Sequence, residues 1–374
     1  MRIGFYAPLK PPDHPVPSGD RLVAQSLIRA LGLAGHEVRV MSRLRSRDGR
    51  GDPVRQARLA ALARRQPDRI LRRESAAPPE LWFTYHLYHK APDLIGPAVA
   101  DRLRIPYVVA EASFAGKQAA GPWAAGHAAV KAALGRADAV IGLNPADAAG
   151  VLPLLADPGR YHALPPFLDL APFDAARAAR DEARRALAAV QGLDPALPWL
   201  VTVAMMRPGD KLASYRLLGN ALARLTDRPW QLLVVGDGEA RDEVAAALAP
   251  LEPRVAWLGA LPPEQVPACL AATDLLVWPA LNEAWGMALL EAAAAGRPIA
   301  AGQVGGVPAI VAHGETGLLT PGGDAAALAA AVAALLDDPD RRRTMGAAAQ
   351  RRAAVEHALP VAARRLDAIL GGLA

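Results

Sequence analysis

Seven residues separate Glu283 from Glu291 in the stretch NEAWGMALLEAAAAGRP (282–298), and all seven are small or apolar. In one unbroken helix that spacing turns the second carboxylate roughly 80° from the first, so the two would not share a face. The conflict disappears if Glu283 lies in a loop and the helix starts near Trp285 or Gly286. The N–H groups from Ala284 to Met287 then head the helix, where its dipole favours an anion. Glu291, about a turn and a half inside, can accept hydrogen bonds from a hydroxyl-rich ligand. A simple cap and a surface ion pair would be the ordinary alternative, but the flanks ALL and AAAA make a solvated face a poor setting for Glu291.

Three further segments carry chemistry of the same kind. In VAMMRPGDK (203–211) Arg207 and Lys211 could clamp a diphosphate, the first by its planar fork and the second as a point charge. Ser18-Gly19 precedes an amphipathic run and could turn backbone N–H groups toward an anion, and Gly305-Gly306 permits a tight turn against a ligand. Solvated loop charges or plain turns explain each of these in isolation. Together they offer two cations, two helix starts and two carboxylates, a set suited to a nucleoside diphosphate joined to a polyol. No compact Asp/His cluster has metal-ligand spacing, so neither metal nor cofactor is expected.

These residues need elements to position them. Short apolar runs, each followed by a helical pattern, recur along the 374 residues: 2–7, 37–41, 81–85, 106–110 and 138–143, then 199–204, 231–236, 255–259, 274–279 and 298–302. Near-continuous apolar strands alternating with helices imply parallel sheets covered on both faces, and two such sets imply two doubly wound α/β domains. Ligands of such sheets bind beyond the carboxyl ends of the strands, where all four segments fall. Prolines at 165, 166, 195 and 198 place a hinge near 168–195. The expected division is 1–175, 176–355 and a last helix over 356–374 that packs back toward the first domain.

The order of motifs resembles glycosyltransferase family 4, the retaining nucleotide-sugar enzymes of the GT-B type. SGDRLVAQSLIRALGLAGHEV (18–38), ADAVIGLN (137–144) and LPPFLDLAPF (164–173) are similar to its first domain, while VVGDG (234–238) and the run 257–324 are similar to its second. The resemblance implies two Rossmann-like domains facing each other across a cleft, an acceptor domain followed by a donor domain. It implies metal-independent transfer of a sugar from a nucleotide diphosphate, UDP or GDP, to an acceptor hydroxyl of a glycan, lipid or small molecule. Glu283 matches the acid near the donor sugar and Glu291 the acid on the ribose. Arg207 and Lys211 match the phosphate-binding pair, Gly19 the N-terminal glycine loop, and the amides of Trp285, Gly286, Met287 and Ala288 the diphosphate cradle. Gly236, Leu258 and Gly259 fall where the family flanks the base, and Asp169 reads as structural.

The chain departs from the pattern at several positions. Leu212 follows Lys211 where glycine is common, Arg207 precedes Lys211 by only four positions, and Ala309 replaces a glutamate after Gly-Val-Pro. Glu111 stands where many members have histidine. Acceptor contacts are expected on first-domain loops at His86, His89, Glu111 and Lys117. A nucleotide-sugar epimerase or hydrolase, and a non-catalytic sugar- or membrane-binding module, are the rival readings.

The formal charge is +5 and the pI about 9.6. Only five of the 42 basic residues are lysine, which marks an arginine habit rather than a nucleic-acid surface. A single cysteine fits a reducing compartment, and no signal-like start or membrane-spanning run is read. The expected location is therefore cytoplasmic. Twelve arginines against four acids from Arg39 to Glu74 add an expected contact with anionic membrane at its inner face.

Overall fold

A computed structural model describes residues 1–16 and 18–373. The chain forms two units, one of residues 1–165 with 359–374 and one of residues 166–358. Each is built on a six-stranded sheet in which every pairing is parallel.

In the first unit the strands are β1 (Arg2–Tyr6), β2 (Glu37–Ser42), β3 (Leu81–Leu87), β4 (Tyr107–Ala112), β5 (Ala139–Gly142) and β6 (Tyr161–Ala163), in the order β2-β1-β3-β4-β5-β6. Strand β3, LWFTYHL, is buried along almost its whole length, as a strand covered on both faces must be. Helix Gly19–Leu33 begins at Ser18, whose side chain accepts from the Arg21 N–H, and turns Ala24, Leu27, Ala30 and Leu31 inward. The last helix, Leu359–Gly371, packs on Gly19–Leu33. It buries Leu366 and Leu370 in this unit.

The second unit contains β7 (Trp199–Val203), β8 (Gln231–Val235), β9 (Val255–Gly259), β10 (Leu275–Trp278), β11 (Ile299–Gly302) and β12 (Gly317–Thr320), in the order β12-β11-β10-β7-β8-β9. An aspartate just ahead of one strand fastens its neighbour in both sheets: Asp138 accepts from the Tyr107 N–H and Asp274 from the Trp199 N–H, each at 2.8 Å.

All ten expected strands form, within a residue or two of the expected ends. The edge strands β6 and β12 lie outside the expected set. Each has only three or four residues, and YHA and GLLT carry no extended apolar run. The segment 168–195, the expected hinge region with a charged helix at its middle, is largely helical. It folds into helices Ala171–Ala178 and Arg180–Gln191, which belong to the second unit: Phe173 joins its core and both Arg180 and Arg184 pair with Asp274. The chain therefore passes into the second unit at 165/166, ten residues before the expected 175, and leaves it at 358/359 rather than at 355.

Candidate active site

The order of the second sheet reverses between β7 and β10, which are neighbours although β8 and β9 come between them in sequence. That is the topological switch point, where the loops leaving two adjacent strands diverge and open a crevice. The loop after β7 carries Arg207 and leads into helix Asp210–Leu222, whose first turn holds Lys211. The loop after β10 runs from Pro279 to Gly286 and carries Glu283. Lys211 Nζ donates to Glu283 Oε2 at 2.5 Å, and the Trp278 indole N–H donates to the same oxygen at 3.1 Å. The ammonium also sits 5.3 Å from the Trp278 ring centre, a cation–π distance.

The β10 loop takes an uncommon path. Ala280 and Asn282 both have left-handed backbones, with φ of 59° and 51°. Such conformations cost about 1–3 kcal/mol and persist where surrounding contacts impose them. Here the Ser214 hydroxyl accepts from the Leu281 N–H at 3.1 Å, and the Asn282 amide donates to Asp210 at 2.8 Å. From the other side Gly305 and Gly306 close on the loop backbone. A Cβ at Gly305, where φ is 54°, would lie 2.0 Å from the Glu283 carbonyl oxygen, and one at Gly306 would lie 2.2 Å from that of Ala284. The two glycines thus serve the loop that carries Glu283.

Helix Met287–Ala294 begins after Gly286, so Glu283 is in the loop and Glu291 inside the helix, the arrangement the spacing suggested. The turn provides no backbone acceptor for the N–H groups of Ala284, Trp285, Gly286, Met287 and Ala288 among the described residues. Glu291 stands on the half-buried side of the helix among alanines and leucines, and its carboxyl group has no hydrogen-bond or ion-pair partner among those residues. Burial pushes its pKa up to about 7. Arg207 is exposed, and its guanidinium likewise has no partner there. At the ends of β8 and β9, Gly236 donates its N–H to the Gly259 carbonyl at 2.8 Å, which brings Gly236, Leu258 and Gly259 together. A side chain at Gly236 would strike the Ala204 carbonyl at 1.9 Å. Leu212, the departure beside Lys211, turns into the core of this unit.

The first unit gathers only part of its expected set. His86 and Glu111 end adjacent strands, both with left-handed backbones, φ 64° and 59°. His86 Nδ1 lies 3.0 Å from Asp20, off the line of a hydrogen bond, and 3.8 Å from Glu111. Burial disfavours the imidazolium, but Asp20, Glu111 and Asp147 outweigh it and raise the His86 pKa. Burial likewise raises the pKa of Glu111, against the pull of His86. Gly19 opens the helix that carries Asp20. His89 is elsewhere: its ring packs edge-on to Trp123 in a cavity of about 190 Å³ with Asp48 and Lys90, and burial lowers its pKa. Lys117 is exposed on the short turn Gly116–Gln118 and contacts neither group. Asp169 accepts from the Ala171 N–H at the start of helix Ala171–Ala178.

Sequence reasoning missed Trp278, Asp210, Ser214 and Asp20. Trp278 looked like one more apolar strand residue, although its place at the end of β10 was a usable signal. The others make their contacts through folding of distant segments. No group of three or more His, Cys, Asp or Glu side chains among the described residues is placed to hold a metal ion.

Two doubly wound units of this kind constitute the GT-B architecture, and solved structures share it over the whole chain. A sucrose-phosphate synthase from Thermosynechococcus elongatus aligns with TM-score 0.73 and 22% identity, covering 100% of this chain and 99% of the other. Anabaena HepE in complex with UDP aligns with TM-score 0.73 and 17% identity, covering 100% of both. Residues 198–338, within the second unit, match the family model of the glycosyl transferases group 1. Among curated relatives, the D-inositol 3-phosphate glycosyltransferase of Nocardia farcinica is 31% identical over 273 residues, 68% of this chain and 58% of the relative. A 2-deoxystreptamine glucosyltransferase of Streptomyces kanamyceticus is 42% identical over 91 residues, 23% and 24% of the two chains. The chain thus spans less than two thirds of the length of these relatives.

Proposed function

We propose that the protein is a retaining glycosyltransferase that moves a sugar from a nucleoside diphosphate to an acceptor hydroxyl without a metal ion. The observation that carries this reading is the group at the β7–β10 switch point: the Lys211–Glu283 pair, the open guanidinium of Arg207, the free amides of 284–288 and the partnerless Glu291. As the bond from the anomeric carbon to the diphosphate breaks, negative charge grows on the leaving oxygens. Arg207, Lys211 and the helix N–H groups are the donors that would stabilise it, the task a divalent cation performs elsewhere. With retention, the acceptor oxygen bonds to the anomeric carbon on the face the diphosphate leaves. The departing oxygen is then the nearest base for the hydroxyl proton. Glu291 would hold the ribose hydroxyls, with Gly236, Leu258 and Gly259 beside the base.

UDP is the favoured nucleotide, supported by the HepE complexes with UDP and with UDP-glucose. The His86–Asp20–Glu111 group is the candidate for holding the acceptor, since it presents both charge signs to a polyol. The test is incubation with UDP-, GDP- and ADP-sugars and a panel of polyol acceptors, following release of the diphosphate. Acceptor-dependent release with the anomeric configuration preserved is expected. Release of a free or altered sugar at the same rate without acceptor would contradict the reading.

The basic segment supports a peripheral membrane contact as part of the same proposal. Arg58, Arg64, Arg65, Arg69 and Arg72 are exposed without partners among the described residues, near exposed Val54 and Leu62. No helix among those residues is long and apolar enough to cross a membrane. Salt-sensitive cosedimentation with anionic vesicles is expected, and equal pelleting with neutral vesicles would contradict it.

A further inference from the structure

A second cationic site lies in the second unit at the opposite end of the same strands. Asp274 and Pro298 immediately precede β10 and β11, and beside them opens a cavity of about 440 Å³, within the range of small-molecule sites. Its walls carry five guanidinium groups, Arg177, Arg180, Arg297, Arg342 and Arg343, and one carboxylate, Asp274.

Helices that run back along a parallel sheet end at this edge, and arginines near a helix C-terminus favour its dipole. That accounts for one contact of four of the guanidinium groups, while Arg343 pairs with Asp340 on its own helix. Arg180 donates to Ala271 O at 3.0 Å, Arg177 to Ala294 O at 2.9 Å, Arg297 to Thr273 O at 2.8 Å, and Arg342 to Leu336 O at 3.0 Å. Capping does not account for gathering five cations around one space. Asp274 is already engaged by Arg180 and by Arg184. Arg297 uses only Nε and Nη1, while Arg177 and Arg342 use only Nη1. The other N–H donors of these three have no acceptor among the described residues. Burial first, and then the neighbouring Arg180, push the Arg297 pKa down to about 10, against the pull of Asp274.

We propose that this cavity binds a compact polyanion bearing two or more phosphate groups, held by the unspent forks of Arg177, Arg297 and Arg342. Such a ligand would relieve the crowding of like charge and accept paired N–H donors. The site is separate from the nucleotide site, so the two are tested apart.

Pyrophosphate is titrated into the full-length protein with UDP already saturating, against sodium chloride of equal ionic strength. Arg297→Gln and Arg342→Gln should each weaken pyrophosphate binding by about 10- to 150-fold, the value of a hydrogen bond to a charged group. Both should leave UDP affinity unchanged, while Lys211→Gln should do the reverse. Hydrogen exchange on the unmodified protein provides the same test without variants: pyrophosphate should slow exchange at 296–298 and 339–347. Vesicles carrying a phosphomonoester headgroup form the second arm. Binding to free pyrophosphate assigns a soluble ligand, and binding to vesicles alone, lost in the same variants, assigns a lipid headgroup. The proposal is overturned if neither probe binds with UDP present, if chloride reproduces the effect, or if folded variants bind unchanged.

Discussion

Glu291 is the residue whose chemistry is most sharply set by its surroundings. Its pKa of about 7 arises because burial penalises the anion, so the unliganded fold is favoured with the carboxyl protonated. Its contribution to stability is therefore fully present below the unfolded value and declines as pH rises through 7. A ligand hydroxyl donating to the carboxylate has the opposite preference. UDP affinity should rise with pH through about 7 and binding should release protons, measurable by calorimetry in buffers of different ionisation enthalpy. A phosphate also titrates near pH 6, so the decisive readout is the difference from Glu291→Gln, which should lack this component. An identical pH profile in the variant would remove Glu291 from the site. Catalytically the two glutamates should separate. Loss of Glu291 removes binding common to ground and transition states and should raise the donor KM, whereas Glu283→Gln should lower kcat. About 10- to 150-fold is expected in either parameter, and equal effects of both variants on KM alone would contradict the division.

At the scale of elements, the β10 loop depends on neighbours that must approach without side chains. Gly305→Ala places a Cβ 2.0 Å from the Glu283 carbonyl, so the loop must move. A loss of about 1–3 kcal/mol in stability and weaker UDP binding are expected in thermal unfolding and titration. Unchanged behaviour would mean that the loop is free to shift. This element also marks how far the sequence could be read. The interval between Glu283 and Glu291 pointed to one in a loop and one in a helix, because in a single unbroken helix the two would not share a face. The left-handed turn at Ala280 had no such signal, since alanine rarely adopts that conformation and contacts from distant residues, among them Asp210 and Ser214, hold the loop. For the same reason the His86–Asp20–Glu111 group was half legible: His86 and Glu111 stood at strand ends, but Asp20 joins them only through the parallel pairing of β1 with β3. The prolines at 165, 166, 195 and 198 stand before and after two packed helices, the second of them the charged helix expected between the prolines.

At the scale of the whole molecule, the chain enters the second unit at Pro166 and leaves it at Ala358. Helix Arg180–Gln191 supplies both arginine partners of Asp274, and helix Ala171–Ala178 adds Phe173 to the core of this unit. A fragment of 166–358 should thus fold and bind UDP, and one beginning at Asp194 should melt at lower temperature. Removing 359–374 should destabilise the first unit, since Leu366 and Leu370 are each fully buried there and burial of one leucine is worth about 1.5–3 kcal/mol. Native-like unfolding of either truncated protein would contradict this division. The central claim, that the switch point of the second sheet is a nucleoside-diphosphate site, is tested most directly by calorimetric titration of UDP into the full-length protein and its Lys211→Gln and Glu291→Gln variants. Binding at one site, weakened about 10- to 150-fold by each substitution, is the predicted result. UDP binding of equal strength in all three folded proteins, or in none, would contradict it.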